Sequence, residues 1–192
     1  PELDRYDILG VMGPDEYHDG YPDAEHAGLN NNAYTNLMAA WVLAKALEVL
    51  DLLPEDRSRE LCEVLGLDQE EQDEWEKISR RMRVVFHDHD IISQFEGYHQ
   101  LEEFDWDAYI KKYGDIQRLD RILEAEDDTP NRYKVSKQAD VLMLFYLFSA
   151  EELAQLFERL DYPFDPEMIP RNIQYYMQRT SHGSTLSRVV HS

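Results

Sequence analysis

The sequence predicts an all-α fold in which buried helices alternate with helices that keep one face in water. Two segments, residues 37–44 and residues 141–148, are apolar on nearly every side, which is typical of helices buried all round. Other segments carry apolar residues along one stripe only, and most connections between segments are short. Two layers of helices built from successive helical hairpins fit this pattern, as a toroid of hairpins or as a plain helical bundle.

Caps and chain breakers set the boundaries of the predicted helices. Capping boxes that begin at Asp68 and Ser149 mark two helix starts. Gly66 marks a helix end, and three prolines, the last of them Pro170, break the chain before a tyrosine-rich helix. In chain order the predicted helices are residues 33–50, a helix whose start Pro54 marks and that runs through residues 60–65, a helix capped by Asp68, residues 106–113, a helix striped through residues 116–123, residues 138–148, a helix capped by Ser149, and residues 171–178.

The run from His87 to Asp90 interrupts the helical pattern within residues 84–98, where we predict a short strand or an extended loop. Alternating residues of an extended chain face opposite sides, so one ion would find two ligands at most, both histidines or both aspartates. Because no further ligand set is evident, we predict an exposed loop here rather than a metal site.

Four aromatic residues, one at the end of this segment and three after it, could lie close together. Aromatic rings can stack on sugar rings, but packing in a core is their commoner use. We therefore expect core packing for this group, which consists of Tyr98, Trp106, Tyr109 and Tyr113.

The charge of the chain excludes some classes of partner. Its 19 basic and 40 acidic residues give a net charge of −21, which argues against binding to nucleic acid or to an anionic membrane. We find no signal-peptide pattern, and the longest apolar run is too short to span a bilayer. The single cysteine, Cys62, has apolar neighbours in sequence and is predicted to be a buried core thiol. These features favour a cytoplasmic protein.

Gly13 and Pro14 predict a polar turn at the run Gly13-Pro14-Asp15-Glu16-Tyr17-His18. It places two carboxylates, a phenol and an imidazole shortly before the first long helix. A polar loop that precedes a rigid helix is well placed to present an acid to a ligand. On spacing alone, an ordinary surface turn rich in Asp and Glu explains the same residues.

Two further polar clusters precede apolar or helical segments. Lys137 and Gln138 precede the apolar residues 141–148, and residues 182–185 open the last segment. Helix N-termini present free N–H groups and the positive end of the helix dipole, which suits an anion. With a lysine and a histidine nearby, these clusters predict a phosphate site, although an ordinary helix cap at Ser184 is the alternative.

Five motifs occur in the order GPDEYH, NNNAYTN, ISQFEGY, KQADVLML and RTSHGSTLS, and they are spread over almost the whole chain. Together they resemble the catalytic domain of glycoside hydrolase family 65, the maltose, trehalose and kojibiose phosphorylases. The resemblance implies an (α/α)6 barrel, of which residues 1–192 form the later part. The early barrel helices and the N-terminal β-sandwich domain of the family are absent from this sequence.

The resemblance also implies a reaction and its residues. The reaction is inverting phosphorolysis of a maltose- or trehalose-like α-glucosyl disaccharide, which gives β-glucose 1-phosphate and a sugar. Inorganic phosphate is the co-substrate, and no metal or organic cofactor is implied. Glu16 corresponds to the general acid, and Lys137 and Gln138 correspond to substrate-binding residues. The residues implied in phosphate binding are His182, Gly183, Ser184 and Thr185.

Both ends of the sequence look cut, so we expect residues 1–192 alone to be inactive. For the full-length protein we expect a homodimer that binds disaccharide and phosphate. Two alternatives remain at this point. A hydrolase of the same family would need a carboxylate base in place of the phosphate site. A non-catalytic helical module would instead use its acidic face to bind a protein partner.

Overall fold

The computed structural model describes residues 4–15, 17–88 and 90–181, and these residues form a mostly helical protein. The predicted helical class is therefore confirmed. The α-helices of this part of the chain are α1 (Ala33–Leu52), α2 (Glu55–Leu65), α3 (Gln69–Arg81), α4 (Trp106–Tyr113), α5 (Leu119–Ala125), α6 (Asp140–Leu147), α7 (Ala150–Arg159) and α8 (Met168–Met177). Two short strands, β1 (Phe86–His87) and β2 (Ile91–Ile92), pair as an antiparallel hairpin.

Local signals in the sequence fix several helix ends. Ser149 and Glu152 form the predicted capping box at the start of α7, with both reciprocal hydrogen bonds present. The Asp68 side chain accepts a hydrogen bond from the backbone N–H of Glu71 at the start of α3. Gly66 ends α2 with a φ of 68°, a left-handed conformation that glycine adopts without steric penalty.

The predicted start of the last described helix is wrong by three residues. Instead of beginning at Arg171, α8 begins at Met168, so Pro170 lies inside its first turn. A proline is tolerated there because backbone N–H groups of the first turn have no acceptor within the helix. Pro170 therefore belongs to the helix that it was expected to precede.

Two hydrophobic clusters hold the described residues together. The larger one contains buried residues of α1, α6, α7, α8 and the hairpin, with Tyr98, Tyr176 and Phe157 among its largest side chains. The smaller one is formed by Tyr17, Phe104, Leu119, Leu123 and Val135. Tyr17 comes from the polar turn, so that turn contributes a side chain to the smaller core.

The prediction that the apolar helices α1 and α6 are buried on every side is wrong. Helix α1 packs against α3, α6 and α7. Its residues Leu37 and Ala40 are buried, whereas Val42 is 51% exposed. In α6, Tyr146 is 59% exposed. The described residues therefore leave part of the apolar surface of both helices uncovered.

No helix among the described residues is both long and apolar enough to cross a membrane.

The predicted burial of the cysteine is wrong, whereas the predicted core packing of the aromatic group is confirmed for three of its four members. Cys62 is only partly buried, because α2 lies on the surface and contains no buried residue. Tyr98 is fully buried in the larger core, whereas Trp106 and Tyr109 pack against the smaller one. Tyr113 is 40% exposed. The four aromatic residues therefore do not form a single cluster.

The predicted short strand is confirmed, but the predicted exposure of its histidine is wrong. His87 is 9% exposed, and its Nδ1 lies 2.7 Å from the Oγ of Ser93. His89 lies outside the described residues. Within residues 4–15, 17–88 and 90–181, no three His, Cys, Asp or Glu side chains are grouped so that they could hold a metal ion.

Candidate active site

The carboxylate of Asp15 joins three of the sequence motifs. Its Oδ1 accepts hydrogen bonds from the backbone N–H groups of Lys137 and Gln138, at 2.6 and 2.9 Å. Its Oδ2 accepts a hydrogen bond from Nε2 of Gln94 at 3.2 Å. Asp15 is 3% exposed, so these groups replace most of its water. The polar turn, the QFEGY run and the KQAD run therefore meet at one buried carboxylate.

Gly13 allows the polar turn to approach the N-termini of α1 and α6. A Cβ atom at this position would lie 1.9 Å from Oδ2 of Asp140 and 2.4 Å from Nδ2 of Asn32. Both distances are far below van der Waals contact. The turn can therefore reach its observed position only because residue 13 has no side chain.

Asp140 is a second buried carboxyl group beside the turn. It is 1% exposed, and its Oδ2 accepts a hydrogen bond from Nδ2 of Asn32 at 2.7 Å. Its other oxygen, Oδ1, has no hydrogen-bond partner among the described residues. Burial, together with the nearby charge of Asp15, raises the pKa of Asp140 well above its ordinary value. Both effects disfavour the charged form of this group relative to an exposed aspartate.

His18 and Tyr17 anchor the other end of the turn. The Nε2 of His18 lies 2.9 Å from the carbonyl oxygen of Tyr133, and it must carry the proton because a carbonyl can only accept. The Nδ1 of the same ring lies 3.6 Å from Oδ2 of Asp15. The Tyr17 hydroxyl lies 2.9 Å from Oγ of Ser181, and burial raises the pKa of this phenol.

A short parallel pairing brings the last described residues beside the KQAD run. Ser136 donates its backbone N–H to the carbonyl of Arg179 and accepts from the N–H of Ser181, each at 2.8 Å. The hydroxyl groups of Ser136 and Thr180 lie 2.9 Å apart. Ser181 is thus fixed to the residue that precedes Lys137.

A pocket of about 200 Å³ opens beside this arrangement. Its lining combines carboxylates, hydroxyl groups and a lysine, which are groups that can hydrogen bond to a polar ligand. The lining residues are Tyr17, Asp19, Asp120, Thr129, Pro130 and Lys137.

The predicted site residues fall into two groups. Lys137 and Gln138 are described, and both lie against the polar turn through Asp15. The side chain of Gln138 also donates to the carbonyl of Pro14 at 3.4 Å. Glu16 and residues 182–185 lie outside the described residues, so their assigned roles remain predictions.

Sequence reasoning missed three polar residues that build the site: Asn32, Gln94 and Asp140. Each lies inside one of the five motifs, but none was given a role. One signal was present in the sequence, because Asp140 opens an otherwise apolar helix. A carboxyl group in such a segment needs a polar partner when it is buried.

Comparisons with known proteins agree on one family. The family model for the glycosyl hydrolase family 65 central catalytic domain matches residues 1–192. The trehalose 6-phosphate phosphorylase of Lactococcus lactis is 39% identical over 186 residues, which cover 97% of this chain and 23% of that protein. The kojibiose phosphorylase of Halothermothrix orenii is 34% identical over 195 residues, with 99% and 22% covered.

A Mycobacterium tuberculosis protein named as an uncharacterized glycosyl hydrolase is 60% identical over 188 residues, which cover 98% of this chain and 14% of that protein. The solved structure named "Putative kojibiose phosphorylase from human microbiome" has a TM-score of 0.70 at 23% identity, and the match covers 100% of this chain and 23% of that one. This chain thus spans between 14% and 23% of the lengths of these proteins. Because the family model matches its whole length, the chain belongs to glycosyl hydrolase family 65 and carries sequence of its central catalytic domain.

Proposed function

We propose that the full-length protein containing this chain catalyses inverting phosphorolysis of an α-glucosyl disaccharide, giving β-glucose 1-phosphate and a sugar. One observation carries this proposal. The buried carboxylate of Asp15 joins the turn that contains Glu16 to the backbone of Lys137 and Gln138. Ser181, which directly precedes His182, is hydrogen bonded to Ser136 near the same place. Asp15 and Ser181, which directly precede two of the predicted groups of site residues, thus lie beside the third group, Lys137 and Gln138.

The proposed roles follow from the chemistry of the reaction. Glu16 gives its proton to the glycosidic oxygen as the bond to the anomeric carbon breaks. Phosphate attacks that carbon from the opposite face, and it is already a nucleophile, so no carboxylate base is needed. Lys137 and Gln138 bind sugar hydroxyl groups. Backbone N–H and side-chain groups of the final segment hold the phosphate, and they belong to His182, Gly183, Ser184 and Thr185.

Four kinds of relatives support a phosphorylase over other activities of a helical domain. They are named as phosphorylases of trehalose 6-phosphate, kojibiose, 1,2-alpha-glucosylglycerol and nigerose, at 29–39% identity. The proposed reaction uses inorganic phosphate and the disaccharide, with no metal or organic cofactor. We also propose a cytoplasmic homodimer.

We further propose that the described helices are part of an (α/α)6 barrel. The exposed apolar residues of α1 and α6 support this proposal, because further helices of a ring would cover them. Within such a barrel, residues 1–192 would form the later part of one catalytic domain. The β-sandwich and the early barrel helices would come from other parts of the full-length protein.

A hydrolase is the second candidate, because a 60% identical relative carries the name glycosyl hydrolase. The experiment incubates the full-length protein with a panel of α-glucosyl disaccharides, with and without phosphate. A phosphorylase forms β-glucose 1-phosphate only when phosphate is present, whereas a hydrolase releases glucose in both cases. In an active protein, Glu16→Gln should lower kcat by about 100-fold or more. No reaction under either condition would favour the non-catalytic module.

The phosphate site has its own test. His182→Ala should raise the KM for phosphate more than the KM for the disaccharide, because it removes a donor from the proposed anion site. His26→Ala is the matched control, since His26 is an exposed histidine of the described part of the chain. Equal changes in both KM values for His182→Ala would contradict the assignment.

A further inference from the structure

We propose that Asp15 is a positioning residue for catalysis, whose buried carboxylate holds the turn of the general acid against the backbone of Lys137 and Gln138. This inference rests on the proposed function, in which the neighbouring residue Glu16 is the acid. Asp15 itself is 3% exposed, so it is not placed to touch a substrate. It would act through the residue that follows it in the chain.

The geometry makes Asp15 a fixed point. Three donors converge on its carboxylate, and two of them are backbone N–H groups that ordinary side-chain substitutions at residues 137 and 138 would keep. Consecutive Cα atoms are only about 3.8 Å apart, so fixing Asp15 restricts where the next peptide can lie. A misplacement of about 1 Å in a catalytic group can lower a rate by about 100-fold. Loss of the hydrogen bonds to Asp15 should therefore change the position of the proposed acid, Glu16.

The third donor explains why a carboxylate is needed and an amide is not sufficient. Gln94 has a fixed orientation, because its Oε1 accepts from the backbone N–H of Asp140 at 3.1 Å. Its Nε2 therefore points towards Asp15. An asparagine at position 15 keeps one oxygen for the two backbone N–H groups, but its amino group would face the amino group of Gln94. Another acceptor near that amino group is Nδ1 of His18, which lies 3.6 Å from the oxygen that the amino group would replace and is beyond hydrogen-bond distance. Asp15→Asn keeps the volume of the side chain and removes the hydrogen bond from Gln94.

A compensating change follows from the same contacts. In the double variant Asp15→Asn/Gln94→Glu, one oxygen of the carboxylate introduced at position 94 can accept from the amide nitrogen introduced at position 15. The other oxygen of that carboxylate still accepts from the backbone N–H of Asp140. The total charge of the cluster is unchanged. The swap therefore restores a matched donor and acceptor, with the two partners exchanged.

The experiment uses the full-length protein and two glucosyl donors, each with phosphate. The disaccharide needs a proton on its leaving oxygen. α-Glucosyl fluoride does not, because the C–F bond breaks to give fluoride while a phosphate oxygen bonds to the anomeric carbon. Asp15→Asn should lower kcat on the disaccharide by about 10- to 100-fold and on the fluoride by only a few-fold. Asp23→Asn, an exposed aspartate paired with Arg132, is the matched control.

The outcomes separate the inference from the function on which it rests. Equal losses on both donors, or wild-type rates on both, would overturn the positioning role. Recovery of the disaccharide rate in the double variant would support it, and a further loss, or failure of both variants to fold, would overturn it. Glu16→Gln is run in parallel. If Glu16→Gln lowers kcat on α-glucosyl fluoride as much as kcat on the disaccharide, the assignment of Glu16 as the acid fails, whatever the result for Asp15→Asn.

Discussion

Replacing Gly13 by alanine tests the close approach between the polar turn and the two helix N-termini. The new Cβ atom would lie 1.9 Å from Oδ2 of Asp140 and 2.4 Å from Nδ2 of Asn32. These two atoms are hydrogen bonded to each other at 2.7 Å, and both residues are buried. The alanine can be accommodated only if this hydrogen bond opens or the turn moves away.

The expected loss of stability has two parts. Overpacking in a buried site costs about 1–3 kcal/mol. Leaving a buried donor or acceptor without its partner costs about 1–3 kcal/mol more. We therefore expect the free energy of unfolding to fall by about 2–6 kcal/mol, which is a large part of the stability of an ordinary domain. The proposed catalysis should also fall, because Asp15 and Glu16 follow Gly13 on the same turn after one intervening proline.

The assay is urea unfolding of the purified wild-type and variant proteins, followed by tryptophan fluorescence. Gly20→Ala is the matched control, because a Cβ atom there would lie 3.4 Å from the carbonyl oxygen of His26, an ordinary contact distance. That variant should change the free energy of unfolding by about 1 kcal/mol or less. A Gly13→Ala protein as stable as the Gly20→Ala protein would refute the close approach.

Two further predictions concern buried titratable groups. Burial lowers the pKa of His87 from its ordinary 6.5 to about 4. The contribution of the neutral His87 side chain to the free energy of unfolding is therefore complete above about pH 6.5 and is lost as the pH falls towards 4. The free energy of unfolding should fall by about 2 kcal/mol between about pH 7 and pH 5, and His87→Gln should remove most of that difference in urea unfolding at the two pH values. Asp140→Asn should change the free energy of unfolding by about 1 kcal/mol or less at neutral pH, because a neutral amide suits surroundings that raise the pKa of the carboxyl group. Asp140→Ala should cost about 1–3 kcal/mol, because it leaves Nδ2 of Asn32 without its acceptor. A larger loss in the Asp140→Asn protein, measured in the same way, would show that the carboxyl group is charged.

Features with a local cause were predictable from the sequence. The bounds of α4, the capping box of α7 and the glycine that ends α2 depend on residues within a few positions of one another. The start of α8 was misplaced because proline acts as a breaker inside a helix but is permitted in its first turn. Local rules thus determined most helix ends, and the error at the start of α8 came from applying one rule outside its range.

Burial and the contacts of the site depend on distant residues, so the pattern of a segment could not determine them. The apolar composition of α1 and α6 indicated buried faces, but it could not show which neighbours would cover them. Asp15 and Lys137 are 122 positions apart in the chain, and their contact exists only after the helices have packed. The five motifs identified the segments involved in the site, whereas the hydrogen bonds that link them required the structure.

The smaller core gives the polar turn a second attachment. Asp15 is tied to the backbone just before α6, while Tyr17, two residues later, packs with Phe104, Leu119 and Leu123 of the segment around α4 and α5. The residue between them in the chain is therefore attached on its two sides to different parts of the fold. Its position should respond to any change in how those parts meet. Apolar substitutions at Leu119 or Leu123, which lie in none of the five motifs, offer a route by which related enzymes could shift the proposed acid without any change in the motifs.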